Sequence, residues 1–247
     1  MTVRRRTVHH TLRASALSLS LLTALSCAHA FDIDVRGEYR TGSEQYRSRV
    51  KVVNVWQNGF GASLEAGIFN GQGSIDSFRS DYNEIEAWYA VPVSETVTLL
   101  PGGVLTWNTN GSIIKPYLRA NWMFYPTWRA DARVRYDHAN YDSVTRRGMP
   151  AGQVHSNNDS AWQLDFFLTK FIDKTAIEYN YAWNKKDDSQ FVYNNGRNTQ
   201  YLHNLKATYT LQPNLLPYAE VAYMGNTADL MNDKNEWRLR LGLISRF

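Results

Sequence analysis

The chain has 247 residues, 43% of them hydrophobic, 13% aromatic and 20% charged, with only 7 prolines. That is enough apolar surface to offset the entropy of ordering, so a disordered tail protein is excluded. The longest uncharged stretch beyond residue 30, Thr96 to Ile114, is broken by Pro101, Gly102, Gly103, Asn108, Asn110 and Gly111, which excludes a helical membrane span.

Chain order begins with a charge that misleads. Arg4, Arg5, Arg6 and Arg13 precede an apolar and small-residue run, Ala14 to Ser26, and then Ala28-His29-Ala30. This is the pattern of a secretory signal, expected to be cut after Ala30 and to take Cys27, the only cysteine, with it. Residues 1–30 hold four of the 27 bases and none of the 23 acids. The remainder, 31–247, is therefore balanced, and a basic nucleic-acid-binding protein loses its support.

From residue 31 the chain alternates. Ile33, Val35, Gly37 and Tyr39 interleave with Asp34, Arg36, Glu38 and Arg40. Trp128, Ala130, Ala132, Val134 and Tyr136 interleave with Arg129, Asp131, Arg133, Arg135 and Asp137, and Trp237, Leu239, Leu241 and Leu243 with Arg238, Arg240 and Gly242. A period of two puts each set on one face of a strand. Read throughout, the pattern predicts about twelve strands, near 33–40, 46–55, 60–69, 83–91, 96–107, 113–123, 128–138, 160–169, 175–183, 200–210, 215–223 and 236–247. Tight turns at 56–59, 92–95, 124–127, 170–174 and 211–214 alternate with long polar loops at 70–82, 139–159, 184–199 and 224–235, while 41–45 and 108–112 are short. Short turns on one side and long loops on the other are the arrangement of a transmembrane antiparallel up-and-down β-barrel, with the short side and both termini periplasmic. A soluble sandwich also alternates. Against it stand Trp56, Trp107, Trp122, Trp128, Trp183, Tyr209, Tyr223 and Trp237 near strand ends, where interfacial girdles lie, and more charge on the other phase than a packed core could bury.

Asp34-Val35-Arg36-Gly37-Glu38-Tyr39-Arg40, Tyr46-Arg47-Ser48-Arg49-Val50-Lys51-Val52 and Trp56-Gln57-Asn58-Gly59 resemble the opening of the oligogalacturonate-specific porins, the KdgM family, which includes an N-acetylneuraminate channel. Asn110-Gly111, Pro116-Tyr117-Leu118-Arg119, Arg133 to Asp137, Pro217-Tyr218-Ala219-Glu220 and Arg240-Leu241-Gly242-Leu243 follow in the family's order. The resemblance implies a monomeric twelve-stranded barrel that passes acidic mono- or oligosaccharides across the outer membrane. It also implies arginine strips in the pore, carried here by Arg36, Arg40, Arg49, Lys51, Arg119, Arg133, Arg135 and Arg240. The terminal Phe247 resembles the signal read by the barrel assembly machinery; Ser245 departs from the bulky residue usual two positions earlier.

The residues carry the same expectation independently. A lipid-facing Arg or Lys at mid-membrane costs about 2 to 4 kcal/mol, so the charged phase must face the lumen. Thirteen bases share it: Arg36, Arg40, Arg47, Arg49, Lys51, Arg119, Arg129, Arg133, Arg135, Lys206, Arg238, Arg240 and Arg246. Eight fall on the last, first and second strands and four on the sixth and seventh, diametrically opposite in a ring of twelve. Glu65, Glu84, Glu86, Asp165, Glu178 and Glu220 fall between. Guanidinium binds carboxylate bidentately, which suits an anion-selective path for acidic sugars. The competing expectation is that these bases merely pair with Asp32, Asp34, Glu38, Asp131, Asp137 and Glu236 across adjacent strands. An adhesin, a purely structural barrel and a rim hydrolase are the functional alternatives, the last resting on His155, Ser156, Asn157 and Asp159. Neither a cofactor nor a metal is expected, since no cysteine survives and His138 and His203 are isolated. The expected partners are acidic sugars and the lipid and lipopolysaccharide of the outer membrane.

Overall fold

The computed structural model describes residues 31–141, 158–188, 191–193, 195–226 and 235–247. They form twelve long strands: β1 (Phe31–Arg40), β2 (Gln45–Val55), β3 (Phe60–Gln72), β4 (Arg79–Tyr89), β5 (Val97–Asn108), β6 (Gly111–Tyr125), β7 (Trp128–Tyr141), β8 (Asn158–Ile172), β9 (Thr175–Lys186), β10 (Thr199–Tyr209), β11 (Leu215–Asn226) and β12 (Asn235–Arg246). A two-residue extension, Val91–Pro92, continues from β4 along β5.

Every strand pairs antiparallel with its neighbours in sequence. β1 also pairs with β12, with Glu38 opposite Arg240, and this closes the sheet into a ring without free edges. The fold is thus an all-β, closed, twelve-stranded, up-and-down barrel. Closure matters in lipid, where an unpaired backbone group would find no water. Phe31, Phe247 and the connections 56–59, 90–96, 126–127, 173–174 and 210–214 lie at one end of the barrel; 41–44, 73–78, 109–110, 187–188 and 195–198 lie at the other. At 56–59 the Gly59 amide donates to the Trp56 carbonyl at 3.0 Å, and Gly59 adopts φ 87°, which a side chain would oppose.

Burial is inverted relative to a soluble protein. The least exposed side chains include Glu236, Asp165, Asp131 and Glu38, whereas Val35, Leu118, Val134, Phe166 and Leu239 are exposed and Leu241 is 72% exposed. The outward phase is aliphatic along its middle and carries Trp107, Trp122, Trp162, Trp237 and Tyr209, all exposed, toward strand ends. This is the apolar band with aromatic girdles of an outer-membrane barrel.

The strands outrun their expected ends on the side of the longer connections. β3 reaches Gln72 and β4 begins at Arg79, so the loop expected over 70–82 is a bend of six residues. β9 extends to Lys186, and the expected loops 139–159 and 224–235 lie in large part outside the described residues.

Candidate functional site

The charged phase faces the inside of the ring, and cross-strand register decides what each base meets. Arg36, Arg40, Arg47, Arg49, Lys51, Arg238, Arg240 and Arg246 line the wall of β12, β1 and β2, and Arg119, Arg129, Arg133 and Arg135 the wall of β6 and β7. Lys206 stands apart on β10. Lys115 on β6 and Lys186 on β9 share the inward phase as well, and they were not among the expected bases.

Most of these cations are paired. Arg40 binds Glu38 at 2.7 Å and Arg240 binds the same carboxylate at 2.6 Å. Arg240 also reaches Glu220 at 2.6 Å, joined there by Arg238 at 3.3 Å. Arg49 bridges Asp34 and Glu65, Arg47 binds Asp81, and Lys51 meets Glu86 at 3.1 Å. On the opposite wall Arg119 and Arg129 converge on Asp131 at 3.0 and 3.1 Å, and Arg129 also contacts Glu178 at 3.4 Å. Arg133 binds Asp165 at 2.9 Å, Arg135 binds Asp137 at 2.6 Å, and Lys115 binds Glu84 at 3.2 Å. Arg246 and Asp32 pair at 3.5 Å near the end that carries Phe31 and Phe247, and Lys186 pairs with Asp159 toward the other. The acids thus interleave with the bases instead of forming separate walls between two purely basic strips.

Depth breaks this symmetry. Asp131 has no exposed side-chain surface while its partners Arg119 and Arg129 are 27% and 29% exposed. Asp165 is 2% exposed against 18% for Arg133, and Glu38 is 5% exposed against 22% for Arg40. The shorter carboxylates stay at the wall and the longer guanidiniums extend toward the lumen water. Arg135 with Asp137 and Lys115 with Glu84 reverse this order.

Three tyrosines stiffen the arrangement. Tyr218 lies flat across Gly242, where a Cβ would fall within the ring, and Gly67 under Tyr82 and Gly102 under Tyr117 do the same. Each hydroxyl donates to a carboxylate of the network: Tyr218 to Asp34 at 2.7 Å, Tyr117 to Glu86 at 2.8 Å, and Tyr82 to Glu65. Beyond the strands, between β9 and β10, burial and the carboxylate of Asp159 push the Tyr193 hydroxyl above the usual phenol range. It stays neutral, with the Lys186 ammonium 4.8 Å from its ring centre.

Of the candidate hydrolase cluster, His155, Ser156 and Asn157 lie outside the described residues and Asp159 is held by Lys186. His138 contacts Ser160 at 2.9 Å, and His203 contacts the Tyr179 hydroxyl at 2.7 Å among outward-facing rings. Among the described residues no group of His, Cys, Asp and Glu is placed to hold a metal ion.

Residues 24–247 match the family model described as oligogalacturonate-specific porin protein (KdgM). The chain is 28% identical over 222 residues to the N-acetylneuraminic acid outer membrane channel protein NanC of Escherichia coli K12, covering 86% of this chain and 89% of that one. It is 25% identical to the oligogalacturonate-specific porin KdgM of Dickeya dadantii, over 96% of this chain and all of that one. The solved NanC porin superposes with a TM-score of 0.74 at 24% identity, covering 87% of this chain and all of that one, which supports the barrel fold.

Proposed function

This chain belongs to the oligogalacturonate-specific porin (KdgM) family of bacterial outer-membrane barrels, and from that premise we propose that its lumen passes acidic mono- or oligosaccharides of the uronate or sialic-acid type by passive diffusion. A porin for small polar or charged solutes needs only a water-filled ring. Twelve strands at ordinary spacing and tilt give a ring roughly 24 Å across, which leaves an opening on the order of 10 Å once side chains fill in. The acidic preference rests on one observation, the depth of the ion pairs: Asp131, Asp165 and Glu38 are withdrawn while the guanidiniums that bind them face water. A solute in the lumen then meets cationic surface although the pairs are formally neutral. Low-dielectric walls focus that field along the path. Alternate residues on a strand are roughly 6.6 Å apart, inside a Debye length of about 8 Å, so neighbouring guanidinium fields merge into a track.

On this reading Arg36, Arg40, Arg47, Arg49, Lys51, Arg119, Arg129, Arg133, Arg135, Lys206, Arg238, Arg240 and Arg246 line the path, residues 1–30 are a signal removed on export, and the end bearing the termini is periplasmic. The test is planar-bilayer conductance of the refolded barrel with galacturonate oligomers and N-acetylneuraminate as blockers. Interruption of the chloride current by both acids, and not by neutral galactose oligomers of equal length, is the expected result. Equal effects of acidic and neutral sugars would overturn the acidic preference.

A further inference from the structure

Between the two rims of the barrel, and among the described residues, two inward cations make no ion pair, Arg36 and Lys206; Arg79 lies at the open rim against the Phe69 ring. Their isolation has a cause in the network. Asp34 and Glu38 flank Arg36 on β1, but Asp34 is taken by Arg49 and the Tyr218 hydroxyl, and Glu38 by Arg40 and Arg240. Glu178 and Glu220 stand opposite Lys206 on the two neighbouring strands, but Glu178 is bonded to Arg129 and Glu220 to Arg238 and Arg240.

Both free cations border the same side chain. Tyr218 sits opposite Gly242 on β12, and Gly242 sits opposite Arg36 on β1. The tyrosine ring crosses that glycine to place its hydroxyl on Asp34, two residues from Arg36, and the Lys206 ammonium lies 4.2 Å from the ring centre. A cavity of about 330 Å³ opens beside Lys206, lined by the hydroxyl-bearing Thr169, Thr208 and Thr210 together with Arg129, Arg246 and the carboxylate of Glu178.

The geometry points to a carboxylate-binding step in the lumen formed by Arg36 and Lys206 on either side of Tyr218, with a sugar ring resting in the threonine-lined cavity. This rests on the acidic-sugar reading and narrows it. A paired guanidinium already has a carboxylate tethered beside it, so a diffusing carboxylate must displace an intramolecular competitor. Arg36 and Lys206 have no such competitor. The arginine strips then set the field, while binding occurs at two positions of which one, Lys206, belongs to neither strip.

The experiment measures block of the chloride current by galacturonate, with galactose as the neutral probe, for the refolded parent and for Arg36→Gln and Lys206→Gln. The double variant Lys115→Gln with Glu84→Gln, which deletes a paired cation together with its acid, serves as the control. A charge-assisted hydrogen bond of ordinary strength corresponds to roughly a tenfold rise in half-blocking concentration for each single variant. The double variant should block like the parent. If the parent is blocked by galacturonate but Arg36→Gln and Lys206→Gln match it, the step is refuted and the acidic-sugar reading stands. If galacturonate and galactose act alike on the parent, that reading itself fails. Should Arg36→Gln not fold, as judged by heat modifiability, Lys206→Gln decides the matter alone, because Lys206 donates no hydrogen bond or ion pair to the barrel among the described residues.

Discussion

Removing the guanidinium of Arg133 tests whether the ion pairs are coupled units with their acids behind them. Its Nε lies 2.9 Å from Oδ2 of Asp165, a side chain only 2% exposed. Arg133→Gln would strand that carboxylate at the wall. Breaking one side of a buried pair costs about 3–5 kcal/mol. Here lumen water reaches the arginine, and Asp165 keeps two bonds from Gln163 Nε2 at 2.8 and 2.9 Å. The expected loss is therefore smaller, about 1–3 kcal/mol. Asp165→Asn should cost less, because a guanidinium facing the lumen is solvated without its partner. The double variant should recover most of the loss, giving a coupling energy of about 1–2 kcal/mol in urea-dependent folding into lipid vesicles. Selectivity offers a second readout. A unit charge about 5 Å from a diffusing ion acts with about 0.8 kcal/mol in water, a change of roughly fourfold in local ion concentration before screening. Arg133→Gln should thus lower anion preference, Asp165→Asn should raise it, and the double variant should fall between, slightly below the parent. Additive stability effects, or shifts of the same sign from both single variants, would refute the coupling.

Three further outcomes follow from the same structure. Leu118 and Val134 are cross-strand neighbours on the exposed outer face, so Leu118→Arg or Val134→Arg should weaken folding into vesicles by about 2–4 kcal/mol each; a harmless arginine there would mean the faces of β6 and β7 are assigned one residue out. Gly242→Val places a side chain where the Tyr218 ring lies, and a loss of about 1–3 kcal/mol in the same assay is expected from the forced displacement; an unchanged folding midpoint would show that the ring yields freely. Among the described residues the outward face carries no charged stripe to mark a subunit contact, so the refolded protein should run as a heat-modifiable monomer on gels, and a stable cross-linked trimer in detergent would contradict that.

The barrel was readable because lipid and lumen impose opposite demands on alternate residues: the run from Trp128 to Asp137 permits one register only. Legibility failed where that contrast fades. Around Asn70, Gly71 and Gln72 both faces are polar, so alternation disappears although β3 continues to Gln72. Lys186 was missed for the same reason, at the end of a strand that outruns its apolar phase. Lys115 did carry a signal, two residues before Tyr117 and four before Arg119 in the inward phase, but the adjoining Ile113-Ile114 and Pro116 mask it. The pairing of Arg49 with Glu65, or of Arg133 with Asp165, follows from register between strands and could be anticipated only as a class. That Asp131, Asp165 and Glu38 lie deeper than their partners, and that Arg36 and Lys206 are left over, depends on side-chain reach across three or four strands, which no pattern within one strand records.

Residues 31–247 balance 23 bases against 23 acids, yet on the proposed reading they present cationic surface to the lumen. The most direct test is the zero-current potential of the refolded barrel in a planar bilayer under a potassium chloride gradient. A potential whose sign reports chloride as the more permeant ion is predicted, weakening as ionic strength rises and the Debye length contracts. A potential that reports potassium as the more permeant ion, or none at any salt concentration, would contradict it.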